Sequence, residues 1–179
     1  MTVEIRTLRP EEDRRPFRSG DEELDVFFHR YAGQNQFRHH IGVTYVAVEE
    51  GRILGFATVS PGSLDAEVLK PRKRMPPYPL PILRLARLAV DEGARGRGLG
   101  RAIVRFAIEL AEKMMEELGC VGLVVDATKG AIEFYDRLGF IVMEVVEGVS
   151  PLRPAPVPLF LPLGSVPTRP GATPKPGGK

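Results

Sequence analysis

The sequence predicts a mixed α/β (α+β) domain, and three observations carry that expectation. Runs of β-branched and apolar residues recur at strand length. Two stretches between those runs repeat their apolar residues at helical spacing. One nearly unbroken apolar run passes directly into a glycine-rich turn and a long helix. The expected order is β-α-β-β-loop-β-α-β-α-β-β, with no internal repeat. A chain of 179 residues suits one domain, placed here at residues 1–166. Residues 167–179 are a Pro/Gly-rich tail whose composition predicts disorder.

The elements follow in order. Val3 to Leu8 alternates weakly and reads as a first strand. Ser19-Gly20-Asp21-Glu22 has the form of a capping box, with Ser19 as the expected N-cap. Leu24, Phe27, Phe28, Tyr31 and Ala32 then form one apolar helical stripe. Gly42 to Val48 and Ile53 to Ser60 flank Glu49-Glu50-Gly51-Arg52, a hairpin signal. Pro61 to Pro81 reads as a basic, proline-punctuated loop. Ile82 to Val90 is apolar apart from Arg84 and Arg87, so a largely buried strand is expected. Ile103, Ala107, Leu110, Met114 and Leu118 mark a long helix that Gly119 stops. Val121 to Ala127 is a second buried strand, Ala131 to Leu138 a short helix closed by Gly139, and Phe140 to Glu147 a strand. Residues 157–163 alternate with prolines and read as a last edge strand.

Composition narrows the function classes. The first twenty residues are too charged for the apolar core of a signal peptide. No apolar run approaches the ~20 residues of a membrane helix, and a single cysteine, Cys120, allows no internal disulfide. These features predict a soluble cytoplasmic protein. Three histidines and one cysteine show no metal-ligand spacing, so no metal is expected. Net charge is only +2, yet basic residues cluster at Arg14, Arg15 and Arg18, at Arg38, and at Lys70, Arg72, Lys73 and Arg74. Such clusters occur on solvated loops and on faces that meet anionic ligands.

Between Val90 and Arg101 lies Asp91-Glu92-Gly93-Ala94-Arg95-Gly96-Arg97-Gly98-Leu99-Gly100. Glycines here let backbone N–H groups converge without a Cβ in the way. The following helix start adds unpaired donors and a positive dipole end, so the segment suits a pyrophosphate. Arg95, Arg97 and Arg101 add charge, although a tight β–α turn alone would also use glycines. The Gly-x-Gly-x-Gly spacing differs from the dinucleotide fingerprint, and Gly100 is followed by Arg101-Ala102 rather than Lys-Ser/Thr, which excludes a Walker A loop.

Arg95-x-x-Gly98-x-Gly100 after Leu88-Ala89-Val90 resembles the pyrophosphate motif of the GNAT acetyltransferases. Ala131-x-x-Phe134-Tyr135-x-x-x-Gly139-Phe140 is similar to their second hallmark. The resemblance implies a GNAT fold with a central mixed, mostly antiparallel sheet and helices on both faces. The sheet would splay between the strand ending at Val90 and the strand Val121 to Ala127. The implied activity is N-acetylation with acetyl-coenzyme A (acetyl-CoA) as cosubstrate. Backbone groups of Leu88, Ala89 and Val90 would bind the pantetheine arm. Arg95, Gly96, Arg97, Gly98, Leu99, Gly100 and Arg101 would hold the pyrophosphate. Tyr135 would be the general acid for the leaving thiolate, since an unperturbed phenol with pKa ~10 stays protonated at neutral pH. A packing role against the coenzyme is the alternative for that ring.

No general base is evident. Glu133 and Asp136 should point away from the tyrosine, and His29, His39 and His40 lie far from the motifs in sequence. At neutral pH the free-base fraction of an α-amine exceeds that of a lysine amine by roughly 300-fold, so an enzyme without a base suits α-amines.

Phe17-Arg18-Ser19-Gly20, Leu24-Asp25-x-Phe27-Phe28, Tyr31-Ala32-x-Gln34-Asn35 and Gly55-Phe56-Ala57-Thr58-Val59-Ser60 narrow the resemblance to the toxin acetyltransferases of type II toxin–antitoxin systems. That likeness implies an aminoacyl-tRNA acceptor, a ribbon-helix-helix antitoxin and a homodimer. Arg14, Arg15, Arg18, Arg38, Lys70, Arg72, Lys73 and Arg74 would then contact tRNA phosphates. Gly130 departs from the acidic or polar residue more usual there. A protein or small-molecule amine acetyltransferase and a non-catalytic coenzyme A-binding module are the competing expectations.

Overall fold

The computed structural model describes residues 2–65, 79–143 and 157–164. The cluster Lys70, Arg72, Lys73 and Arg74 and the tail 167–179 lie outside them. Among the described residues seven strands form one sheet in the order β1-β2-β3-β4-β5-β7-β6. They are β1 (Glu4–Thr7), β2 (Val43–Glu49), β3 (Arg52–Leu64), β4 (Leu80–Val90), β5 (Gly122–Ala127), β6 (Ile141–Val142) and β7 (Val157–Pro162). All neighbours are antiparallel except β4 and β5. The mixed, mostly antiparallel sheet is therefore as expected. Among the described residues no helix is long and apolar enough to cross a membrane.

Helices cover both faces. The long helix α2 (Leu99–Glu117) buries Leu99, Ile103, Val104, Ala107 and Ala111 along one stripe. Most of these pack with Ala57, Leu85, Leu123, Val125 and Leu159 from the sheet, and with Tyr135 and Phe140. Gly119, at φ 97°, ends that helix, its N–H donating to Met114 O. On the opposite face, helix α1 (Glu22–Val26) and its continuation bury Phe27, Phe28 and Ala32 against Val46, Val48, Phe56 and Ala89. The rings of Phe28 and Phe56 stack at 4.3 Å.

Four details differ from the sequence expectation. Asp21, not Ser19, caps α1, accepting from the Leu24 N–H at 3.1 Å. Ser19 instead donates its N–H and its hydroxyl to Asp25 Oδ1, at 2.9 and 2.6 Å. Past Val26 the helix widens into π turns at Phe27–Tyr31 and Gln34–His39. Each wide turn delays the apolar stripe by about one residue, which leaves Tyr31 48% exposed.

The loop expected from Pro61 begins later. Strand β3 runs on to Leu64 and pairs with β4 from Pro61↔Leu83 to Leu64↔Leu80. Beyond Val59 it has a described neighbour on one side only, the edge setting that tolerates a proline. Finally, β7 is not an edge strand but lies between β5 and β6. Leu163 N–H points to β5, donating to Val121 O, while Pro158 O faces β6 and accepts from Met143 N–H. By strand alternation the nitrogens of Pro158 and Pro162 face the β6 side. There the described partner is two residues long and pairs only with Leu159 and Phe160. Residues 144–147 of the expected strand lie outside the described residues.

Candidate active site

Strands β4 and β5 begin side by side and then part. They pair only at Leu83↔Leu123, Arg84↔Val124 and Leu85↔Val125. Between Thr58 and Val59 the β3–β4 register slips, so Ala86 on β4 is the extra residue of a bulge. Beyond it Leu88, Ala89 and Val90 pair with Ala57, Phe56 and Gly55 of β3, and with no described strand on their other side. The expected splay is present. Its inner wall is a short edge whose peptide groups are free for another backbone-like chain.

The turn after β4 is organised by Asp91, which is 4% exposed. Its carboxylate accepts from Arg18 N–H, Gly93 N–H and Arg52 Nη2, at 3.1, 3.0 and 3.1 Å. Those bonds tie the segment before α1 to the turn. Gly96 and Gly98 are left-handed, at φ 77° and 75°. A Cβ at either would meet nothing within 4 Å, so both open onto free space. Among the described residues the N–H groups of Gly96 to Arg101 make no backbone hydrogen bond. The first i→i−4 bond here is Ala102 N–H to Gly98 O at 3.0 Å. Six backbone donors without a backbone partner thus lie together at the N-terminus of a 19-residue helix. Such donors are the groups that could hold an anion.

The three arginines of this turn are not equivalent. Arg95 donates to Ser19 O and braces the turn against the segment before α1. Arg97 is held by Glu49 through two bonds of 3.1 and 2.8 Å, and the pairing lowers the Glu49 pKa. Arg101 is exposed on the first turn of α2 without an ion-pair partner among the described residues.

Tyr135 sits on α3 (Ile132–Asp136), 5% exposed, edge-on to Phe134 and Phe140 at 5.0 and 5.3 Å. It belongs to the core cluster of the α2 face. Burial pushes its phenol well above the ordinary value, so it holds its proton throughout the neutral range. Glu133 pairs with Arg137 at 2.5 Å on the exposed side of the same helix, and Asp136 is exposed. His29 Nε2 lies 2.9 Å from Phe17 O, and His39 Nε2 lies 3.3 Å from Gln34 Nε2. None of these contacts involves Tyr135.

The expected tRNA-facing arginines are scattered in role. Arg15 is bound to Asp13 at 2.8 Å, and Arg18 folds back onto the carbonyls of Arg15 and Phe17. Arg14 packs over Gly33, with its Nε buried and unpartnered. Arg38 is exposed in the second π turn.

Two features escaped the motif search. Arg84 and Asp126 form an ion pair across the last β4–β5 rungs, at 2.8 Å. Arg87, on the α1 side, lies 3.8 Å over the Phe27 ring. Burial lowers the Arg87 pKa, opposed by the charges of Asp126 and Glu23. Their only sequence signal is that Arg84 and Arg87 are charges in an otherwise apolar strand. Beside Arg87 is a cavity of about 400 Å³ lined by Glu22, Glu23, Val26, Phe27, Tyr31 and Arg87.

The chain is similar to known proteins in sequence and in fold. The profile of the acetyltransferase (GNAT) domain matches residues 40–142. A tRNA-acetylating toxin of Mycobacterium tuberculosis is 31% identical over 137 residues, covering 75% of this chain and 82% of the relative. Among solved structures, AtaT complexed with acetyl-methionyl-tRNAfMet superposes with a TM-score of 0.78 at 25% identity, covering 90% of this chain and 95% of that one. AtaTR bound with acetyl-CoA superposes at 0.73 and 26% identity, over 89% of this chain and 93% of that chain.

Proposed function

Because this chain belongs to the GNAT acetyltransferase family, we propose that the amine it acetylates is the α-amine of an amino acid carried on tRNA. The enzyme is an N-acetyltransferase that uses acetyl-CoA. That cosubstrate supplies an acetyl thioester, whose carbonyl carbon bonds to the amine nitrogen as its C–S bond breaks.

The chain's residues position the reactants and handle protons. The free edge of Leu88, Ala89 and Val90 offers peptide groups to the pantetheine amides in the gap between β4 and β5. The unpaired N–H groups from Gly96 to Arg101 hold the diphosphate, while Arg95 and Arg97 fix the turn that presents them. Arg101 adds the free charge. Tyr135 gives its hydroxyl proton to the departing sulfur. The amine loses one proton on becoming an amide, and water returns a proton to the phenolate. An acceptor already part deprotonated at neutral pH, an α-amine, asks least of a general base.

The observation that carries the acceptor is the 31% identity extending over 82% of a tRNA-acetylating toxin. A cytoplasmic setting follows from such a substrate. A ribbon-helix-helix antitoxin and a homodimer belong to the same proposal, supported by the likeness to toxin acetyltransferases. A second acceptor class, a free or protein amine, is favoured by the internal engagement of Arg15 and Arg18. Salt dependence separates the two. With Lys70, Arg72, Lys73 and Arg74 replaced by Ala, tRNA affinity should fall and the slope of log affinity against log salt should shrink by nearly one unit per lost contact. A wild-type protein with no salt-dependent tRNA affinity would return the acceptor to the free-amine class.

A further inference from the structure

The cavity beside Arg87 has a definite relation to the reaction coordinate. Tyr135 lies in the cluster of the α2 face, and Arg87 meets Phe27 on the α1 side. The gap between β4 and β5 separates them, beginning just past Leu85↔Val125. A thioester threaded there is open to attack from the α1 side and to proton donation from the α3 side. The space on the attacking side is the cavity of about 400 Å³.

Its walls are of two kinds. Val26, Phe27 and Tyr31 present aliphatic and aromatic surface. Glu22 and Glu23, both exposed on the first turn of α1, bring two negative charges against the single positive charge of Arg87. The Arg87 guanidinium is stacked on Phe27, and Asp126 and Glu23 both act on its charge. The lining therefore has a net charge of −1, and a carboxylate entering it meets two carboxylates before the arginine.

Resting on the acceptor proposed above, we propose that this cavity is the acceptor subsite, taking an uncharged, apolar or aromatic aminoacyl side chain, with Glu22 and Glu23 excluding acidic ones. Discrimination of this kind combines an apolar fit with charge repulsion against the wrong partner.

The test is a panel of amino-acid amides run beside a pool of charged tRNAs, with acetylated products identified by mass. The amides report the cavity without any RNA. Wild type should turn over the amides of Leu, Met and Phe at least ten-fold better in kcat/KM than those of Asp and Glu. Glu22→Lys with Glu23→Lys should narrow or invert that ratio, while coenzyme A affinity and melting temperature stay near wild type. Tyr31→Ala should selectively weaken the large apolar amides. Equal use of acidic and apolar amides by wild type, or an unchanged ratio in the double lysine variant, overturns the subsite. Amide selectivity with untouched tRNA keeps the subsite and overturns the tRNA acceptor. No turnover on either set overturns both.

Discussion

Arg84 Nη1 donates to both carboxylate oxygens of Asp126, at 2.9 and 2.8 Å, across the last rungs that join β4 to β5. The pair stands at the crotch of the splayed sheet, with Arg84 two residues before the bulge at Ala86. It marks where the strands stop holding each other.

Replacing Asp126 by Asn should loosen that crotch without unfolding the protein. The pair is about a third exposed on both sides, so its loss should cost about 1 kcal/mol or less of stability. The effect on catalysis should be larger in proportion, about ten-fold in kcat/KM, because small misplacements of reacting groups are costly. Chemical denaturation and steady-state kinetics on one preparation check this. Wild-type kcat/KM in the Asn variant would free the pair of any positioning role.

Tyr135→Phe removes one hydroxyl and leaves the ring between Phe134 and Phe140. Turnover should fall ~10²–10⁴-fold with coenzyme A affinity nearly kept. The raised phenol pKa also sets the pH profile. The neutral, proton-donating form is the one burial favours, so wild-type turnover should show no alkaline loss from Tyr135 between pH ~8 and ~10. By linkage, stability from this group is intact below the unfolded value of ~10 and is lost as pH rises above it. A pH–rate profile and alkaline melting curves check both statements.

Gly98→Val places a branched side chain at φ 75°, in the cradle and at the N-cap of α2. Since a Cβ there meets nothing within 4 Å, packing should survive, with ~1–2 kcal/mol of left-handed strain. Coenzyme A affinity should drop ten-fold or more by calorimetry. A folded variant that binds as tightly as wild type would move the cradle elsewhere.

Gly122→Ala tests the fold rather than the site. A Cβ at Gly122 would lie 2.3 Å from the Phe160 ring and 2.5 Å from Leu161 O, both on β7. Backbone must shift to admit it, costing ~1–3 kcal/mol or more. An unperturbed melting temperature would mean that β7 does not pack against β5 as described.

Much of this was legible in the residues. The apolar run into Gly96, Gly98 and Gly100 announced the strand, the glycine turn and α2, because glycine placement and helical spacing are local signals. The splay was expected from family likeness, and the pairing that stops at Leu85↔Val125 gives it a physical extent. The course of β3 past Pro61 and the inner position of β7 were not legible. Both depend on which strand lies beside a proline, a tertiary fact that composition cannot encode. The capping error at Ser19 has a similar cause. Asp21 and Ser19 are both good caps, and the distant commitment of Ser19 to Asp25 decides between them. The side-chain partners of Arg97 and Arg95, Glu49 and Ser19, were not legible either, because they are remote in sequence.

The most direct measurement is mass mapping of a charged tRNA pool after incubation with the enzyme and acetyl-CoA, with free amino acids and bulk protein assayed in parallel. The predicted result is one acetyl group on the α-amine of the tRNA-borne amino acid, formed ~10²–10⁴-fold more slowly when Tyr135→Phe replaces wild type. Acetylation confined to free amines or protein lysines, with every aminoacyl-tRNA unmodified, would contradict the proposed acceptor.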